Sequence, residues 1–233
     1  MRLMRLGAGG ARLMVARWAA TAALLALALA TGGCGEHDGP YPPPPPQDPV
    51  LMFPDTPDKL MANLQLVYEL CDLDGLRELL SPDHVTLLQA ATQARFPALG
   101  DRLELAEELR CHERLFSHRD VTDPEGTVVP AIVTVSFQTI ARAGAWAPSE
   151  NWDPIPNTTC ALYDVVVLWG RGPSYSILRS QGQIRFYVTA RDSTVNGVTK
   201  PYYQLCGQKD LTQVWKAAAS EPTAWGAVKG MFR

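Results

Sequence analysis

The stretch from Gly35 to Pro57 limits the fold of this chain most, because nine prolines lie between Pro40 and Pro57, with an unbroken run from Pro42 to Pro46. Proline has no amide hydrogen and a fixed φ, so such a segment favours a polyproline II rod rising about 3.1 Å per residue and enters neither helix nor sheet. The 233 residues are therefore divided into a leader, a spacer and one domain-sized remainder. The spacer reading treats the tract as a semi-rigid tether. The other reading is a proline-rich recognition motif.

The leader carries Arg2, Arg5, Arg12 and Arg17 and no acid before Cys34, and Trp18–Ala30 is uncharged and mostly apolar. A crossing helix needs about 20 apolar residues, so a basic start followed by a shorter apolar run has the form of an export signal. Thr31-Gly32-Gly33-Cys34-Gly35 resembles the bacterial lipoprotein box, in which the cysteine is lipidated and becomes the new N-terminus. The alternative is ordinary cleavage after Ala28-Leu29-Ala30. The expected organisation is residues 1–33 as a signal peptide, 34–55 as lipidated Cys34 plus tether, and 56–233 as the domain. The expected location is the bacterial cell envelope, anchored to a membrane on its periplasmic side, or soluble periplasmic or secreted if Cys34 is not lipidated. Removing the leader takes four of the 21 basic residues and none of the 24 acidic ones, which moves the net charge from −3 to −7. That balance excludes a basic nucleic-acid binder.

If Cys34 is lipidated, Cys71, Cys111, Cys160 and Cys206 remain. An even number in an oxidising compartment predicts one or two disulfides among them, in any of three pairings. The alternative is four buried thiols. No C-x-x-C is present, which argues against a zinc or redox site.

Asp55-Thr56-Pro57-Asp58 reads as a helix start, with a capping side chain, a proline near the first turn and an acid in it. Leu60, Leu64, Val67, Tyr68 and Cys71 then form one apolar helix face. Asp74 caps a second helix over 75–80, His84–Leu88 reads as a short strand, and a third, charged helix fits Asp101–Phe116 with Glu104, Glu107 and Glu108 on a solvated face. Beyond it the pattern is β. Thr127–Thr139 contains Pro130 as a bulge or edge signal, and Cys160–Trp169 is a nearly continuous apolar run. Gln183–Arg191 alternates, with Ile184, Phe186, Val188 and Ala190 on one face and Arg185, Tyr187, Thr189 and Arg191 on the other. Tyr202–Cys206 reads as a last strand and Trp225–Phe232 as a tail. Helices followed by an antiparallel sheet define an α+β domain.

This order resembles the NTF2-like (SnoaL-like) superfamily. The likeness is carried by Pro57-Asp58-Lys59-Leu60, by Asp72-Leu73-Asp74-Gly75-Leu76, by Leu79–Val85, by Leu115-Phe116 and by Trp225–Lys229, and it spans residues 56–233. The resemblance implies N-terminal helices packed on a strongly curved antiparallel sheet, a cone. The superfamily includes isomerases, dehydratases and cyclases as well as non-catalytic binding and assembly modules, so fold alone leaves function open. Candidate residues for the cone lining are Tyr68, Tyr163, Trp169, Arg185 and Tyr187, a set of aromatic rings with one cation suited to a small apolar or amphipathic ligand. His112, on the charged helix, reads as solvated, and His84 as a strand-edge residue. Asp164 is the candidate general base, since a carboxylate flanked by Tyr163 and Val165-Val166-Val167 would be desolvated if it faced inward. Strand parity places it with Leu162, Val166 and Leu168, opposite Tyr163 and Trp169.

No G-x-S-x-G, P-loop, strand-borne G-x-G-x-x-G or H-E-x-x-H occurs, and no His, Asp and Glu spacing suits a metal. The expectation is a membrane-anchored, non-catalytic domain that takes a small amphipathic ligand or a partner protein, with no cofactor and no metal. The alternatives are an isomerase- or dehydratase-type enzyme using Asp164, and a homodimeric envelope assembly module.

Overall fold

Thr56 starts the folded helical part. Its hydroxyl accepts the Lys59 amide at 3.2 Å, Pro57 occupies the first turn, and helix α1 runs Pro57–Glu69. The computed structural model describes residues 49–123, 126–213 and 220–233. The expected signal peptide, Cys34 and most of the tether lie outside the described residues. The end of the expected tether is docked on the domain: Asn63 of α1 brackets Met52, accepting its amide at 2.9 Å and donating to its carbonyl at 2.6 Å.

Helix α1 ends with Cys71 in the left-handed region at φ 53°, and the Cys71 and Asp72 amides return to the carbonyls of Tyr68 and Val67. Asp72, rather than Asp74, then caps α2 (Leu73–Leu79) by accepting the Gly75 amide at 2.9 Å. Strand β1 (Leu80–Leu87), helix α3 (Ala90–Arg95), a 3₁₀ turn (Pro97–Leu99), strand β2 (Arg102–Glu104) and helix α4 (Leu105–Leu115) follow. The short pair β3 (Val121–Thr122) and β4 (Val128–Val129) leads into β5 (Thr134–Arg142), β6 (Ala147–Pro148), β7 (Thr159–Gly170), β8 (Ile177–Val195), β9 (Val198–Gln213), β10 (Ser220–Pro222) and helix α5 (Trp225–Met231).

The domain is α+β, with one large sheet in the order β2-β1-β9-β8-β7-β5. The sheet is mostly antiparallel but mixed, since β1 runs parallel to β9 and β10 parallel to β8. It is open, and no closed or strongly curled cone is formed. β8 and β9 are longer than their alternation predicts. They meet at Asn196-Gly197, both at positive φ (52° and 76°), a two-residue turn that suits a hairpin.

Inner-face residues of β7 (Tyr163, Val165, Val167, Trp169) and β8 (Ile184, Phe186, Val188) pack against α1, α2 and α5. Strand parity therefore holds. The Tyr68 ring lies 5.0 Å from Trp225, 5.4 Å from Phe116, 6.1 Å from Phe137 and 6.2 Å from Trp169, and Trp169 and Trp225 are 5.4 Å apart. The expected C-terminal tail is helix α5, and its Trp225 joins this cluster beside Tyr68.

Candidate functional site: an open cleft and a sealed polar network

Polar and aromatic groups converge where the N-terminal turn of α1 meets β5 and β7. Asp58 Oδ1 accepts from Arg142 Nη1 at 2.7 Å, from Trp146 Nε1 at 2.9 Å and from the Tyr163 hydroxyl at 3.4 Å. Trp146 and Tyr163 stand 5.8 Å apart, and Tyr163 meets Phe186 edge-on at 5.5 Å. Asp58, Arg142 and Tyr163, together with Met61, Gln65 and Ile140, line a cleft of about 340 Å³. Burial, and then the neighbouring Asp58 carboxylate, push the Tyr163 phenol well above its ordinary range, so it stays a neutral donor. This is a small surface site with an apolar floor and a fixed polar corner.

A second concentration of chemistry lies between the sheet and helices α4 and α5. Glu108, Cys111, His112 and Leu115 occupy the buried stripe of α4. Glu108 receives Lys229 of α5, Gln208 Nε2 at 3.0 Å and the Thr86 hydroxyl at 3.0 Å. His112 Nδ1 faces the Glu108 carbonyl at 2.7 Å, so that nitrogen carries the proton and Nε2 accepts from the Tyr68 hydroxyl at 2.6 Å. His84 Nδ1 likewise meets the Leu205 carbonyl at 3.0 Å. Burial opposes ionisation of Glu108, but Lys229 and the two histidines outweigh it and hold the carboxylate below its ordinary value. Burial pushes the His112 pKa down to about 4, with Glu108 partly opposing.

Neighbouring Asp210 anchors the start of α5. It accepts the Gly226 amide at 2.7 Å and the Thr212 amide at 2.9 Å. A side chain at Gly226 would meet Leu88 at 2.7 Å and the Asp210 carboxylate at 3.0 Å, so both would have to shift to admit one. None of the side chains in this network leaves a buried nitrogen or oxygen unpartnered. With Glu108 and Lys229 shut off from solvent, the arrangement holds two helices on the sheet.

The five expected cone residues occupy three places. Tyr68 and Trp169 are in the aromatic core, and Tyr163 lines the cleft. Arg185 and Tyr187 lie on the opposite face of β8, where both donate to Asp153 Oδ1 at 3.0 and 3.1 Å. Burial opposes ionisation of Asp153, but the Glu150 amide, Tyr187 and Arg185 hold its carboxyl below the ordinary range. Asp153 belongs to the segment 149–158, whose Ile155 lies over Gly207, so this segment covers part of the outer sheet face. Asp164 is exposed on that face and accepts Gln183 Nε2 at 3.0 Å, so the desolvation a general base needs is missing.

His112, His84 and Glu108, expected at solvated or edge positions, are all buried. Cys71, Cys111, Cys160 and Cys206 are free thiols, and burial pushes Cys111 up to about 11. Among the described residues no group of His, Cys, Asp and Glu is arranged to hold a metal. Compared with models of known protein families and with curated proteins, the chain matches none.

Proposed function

We propose that this chain is an exported protein anchored in the bacterial envelope through Cys34, on the periplasmic side, and that its NTF2-like domain binds a small amphipathic ligand without transforming it. The observation that carries this reading is the convergence of Asp58, Arg142 and Tyr163 on one cleft, with Trp146 bonded to the same Asp58 carboxylate, beside a helix–sheet interface that aromatic rings otherwise fill. A ligand is then held at the rim of the domain. The phenol and guanidinium orient its polar end, and Met61 and Ile140 take its apolar part. The lipid anchor and proline tether account for the leader and for Pro40–Pro57, and helices preceding a mostly antiparallel sheet suit the superfamily.

Native mass spectrometry of the full exported chain in mild detergent tests this. The expected result is a bound small molecule that is lost in Arg142→Ala and Tyr163→Phe and kept in Tyr187→Phe. A chain that is empty as isolated, or a ligand indifferent to both cleft variants, overturns the reading.

A second reading rests on the outer sheet face. Leu162, Val166 and Leu168 of β7 are only half-buried there, and Leu211 of β9 is 38% exposed. Such a band suits a second copy of the chain. A dimer in the same spectrum, dissociated by Leu211→Lys, would favour this assembly role.

A further inference from the structure

Four arginines from distant parts of the chain meet on the side of the domain formed by α3, α4 and the segment after α5. Arg110 and Arg114 lie one turn apart on α4, Arg95 ends α3, and Arg233 follows α5. They line two adjoining clefts of about 430 and 370 Å³ that share Arg233 and Asp123. The second cleft has a floor of Phe96, Pro97 and Leu99. Existing bonds hold the arginines in place without saturating them. Glu107 takes Arg110 at 3.3 Å and Arg233 at 3.4 Å, Arg233 also donates to the Ala98 carbonyl, Arg114 donates to the Arg233 backbone oxygen, and Arg95 stacks over Phe96 at 5.2 Å. A guanidinium carries five donors, so each retains nitrogens for a further acceptor. This cluster stands out in a chain whose charge is −7 once the leader is removed.

We infer that these clefts form an anion site, separate from the Tyr163 cleft, for a phosphate ester that carries an apolar group. The forked donors of Arg110, Arg114 and Arg233 match phosphate oxygens. Phe96 and Leu99 receive the apolar part. Two sources share this chemistry, the headgroup of an anionic phospholipid and a free phosphate ester. With the first, the site lays the domain against the membrane that holds it; with the second, it captures a soluble metabolite.

The test is calorimetric titration of the full chain in an uncharged detergent, with dihexanoyl-phosphatidylglycerol and with butyl phosphate. Saturable binding of at least one probe is expected. It should weaken at least tenfold in Arg95→Gln/Arg114→Gln and in Thr122→Glu, which adds a carboxylate to the lining without removing a contact. Arg191→Gln, at an exposed arginine on the β8–β9 hairpin, should bind as the unmodified chain does. A tenfold preference for the phospholipid assigns the site to a headgroup, and equal binding assigns it to a free ester. If neither probe saturates, or Arg191→Gln weakens binding as much as the cleft variants, the inference falls.

Discussion

Asp58 with Arg142 and Glu108 with Lys229 are the same chemistry placed in two environments. Each joins a carboxylate to a cation beside a tyrosine and a helix, yet Asp58 and Arg142 are 62% and 36% exposed while Glu108 and Lys229 are 2% and 0% exposed. Water screens the first pair, so it contributes little to folding and keeps capacity for a ligand. The second pair has exchanged water for Thr86, Gln208 and each other, which fixes α4 and α5 on the sheet and leaves no access for chemistry. Burial, more than residue type, separates the open corner from the structural one.

The sharpest way to break this contrast is Lys229→Met. Removing the cation strands Glu108 in a dry site, and a loss of about 3–5 kcal/mol is expected in urea unfolding. Replacing both partners, as Glu108→Leu/Lys229→Met, should recover most of it. A small effect of the single change would mean that water enters the network. Next in size is Asp210→Ala, which removes the acceptor of the Gly226 amide at the start of α5; about 2 kcal/mol is expected by the same measurement.

Acid sharpens the comparison without mutation. His112 stays neutral to about pH 4 in the folded protein but protonates near 6.5 when unfolded. Between those values the unfolded chain binds more protons, so stability falls as pH falls, by up to about 1.4 kcal/mol per pH unit for one group. Glu108, with its folded pKa depressed, adds stability above its unfolded value near 4.5 that is lost as pH falls further. Urea midpoints measured between pH 7 and 4 should slope downward, and His112→Gln should flatten the upper part of the slope.

At the open corner, Arg142→Ala should cost under about 1 kcal/mol in the same assay while abolishing ligand retention. The smallest effect is at Cys71, whose left-handed φ of 53° suits glycine. Cys71→Gly should stabilise by up to about 1 kcal/mol, less the apolar contact it gives up.

The α1 start, the buried face of β7 and the alternation of β8 were legible because each repeats a local rule: a cap with proline, an apolar run, a period of two. The sealed network was not legible, because polar residues occupy core spacing. Glu108, Cys111, His112 and Leu115 follow the i, i+3, i+4, i+7 pattern of a buried stripe, but two of the four count as polar, so the stripe passed for a solvated face. Gln208, Asp210 and Thr212 alternate inward in the same way beyond the expected end of β9 at Cys206. A single lysine among the apolar and small residues of Trp225–Met231 was the available signal for α5. The parallel pairing of β1 with β9, which sets Thr86 beside Gln208, depends on contacts more than 100 residues apart. In the candidate site, Tyr163 was identified from its strand face, while Asp58 was read only as a helix-start acid and Arg142 and Trp146 carried no pattern at all.

The most direct test of the account is an NMR titration of the His112 imidazole in the folded protein. A ring that stays neutral until about pH 4 is what a sealed network with a filled aromatic core predicts. A ring that titrates near 6.5 would show water reaching the interior, and would return the space between the helices and the sheet to the list of places where a ligand or a reaction belongs.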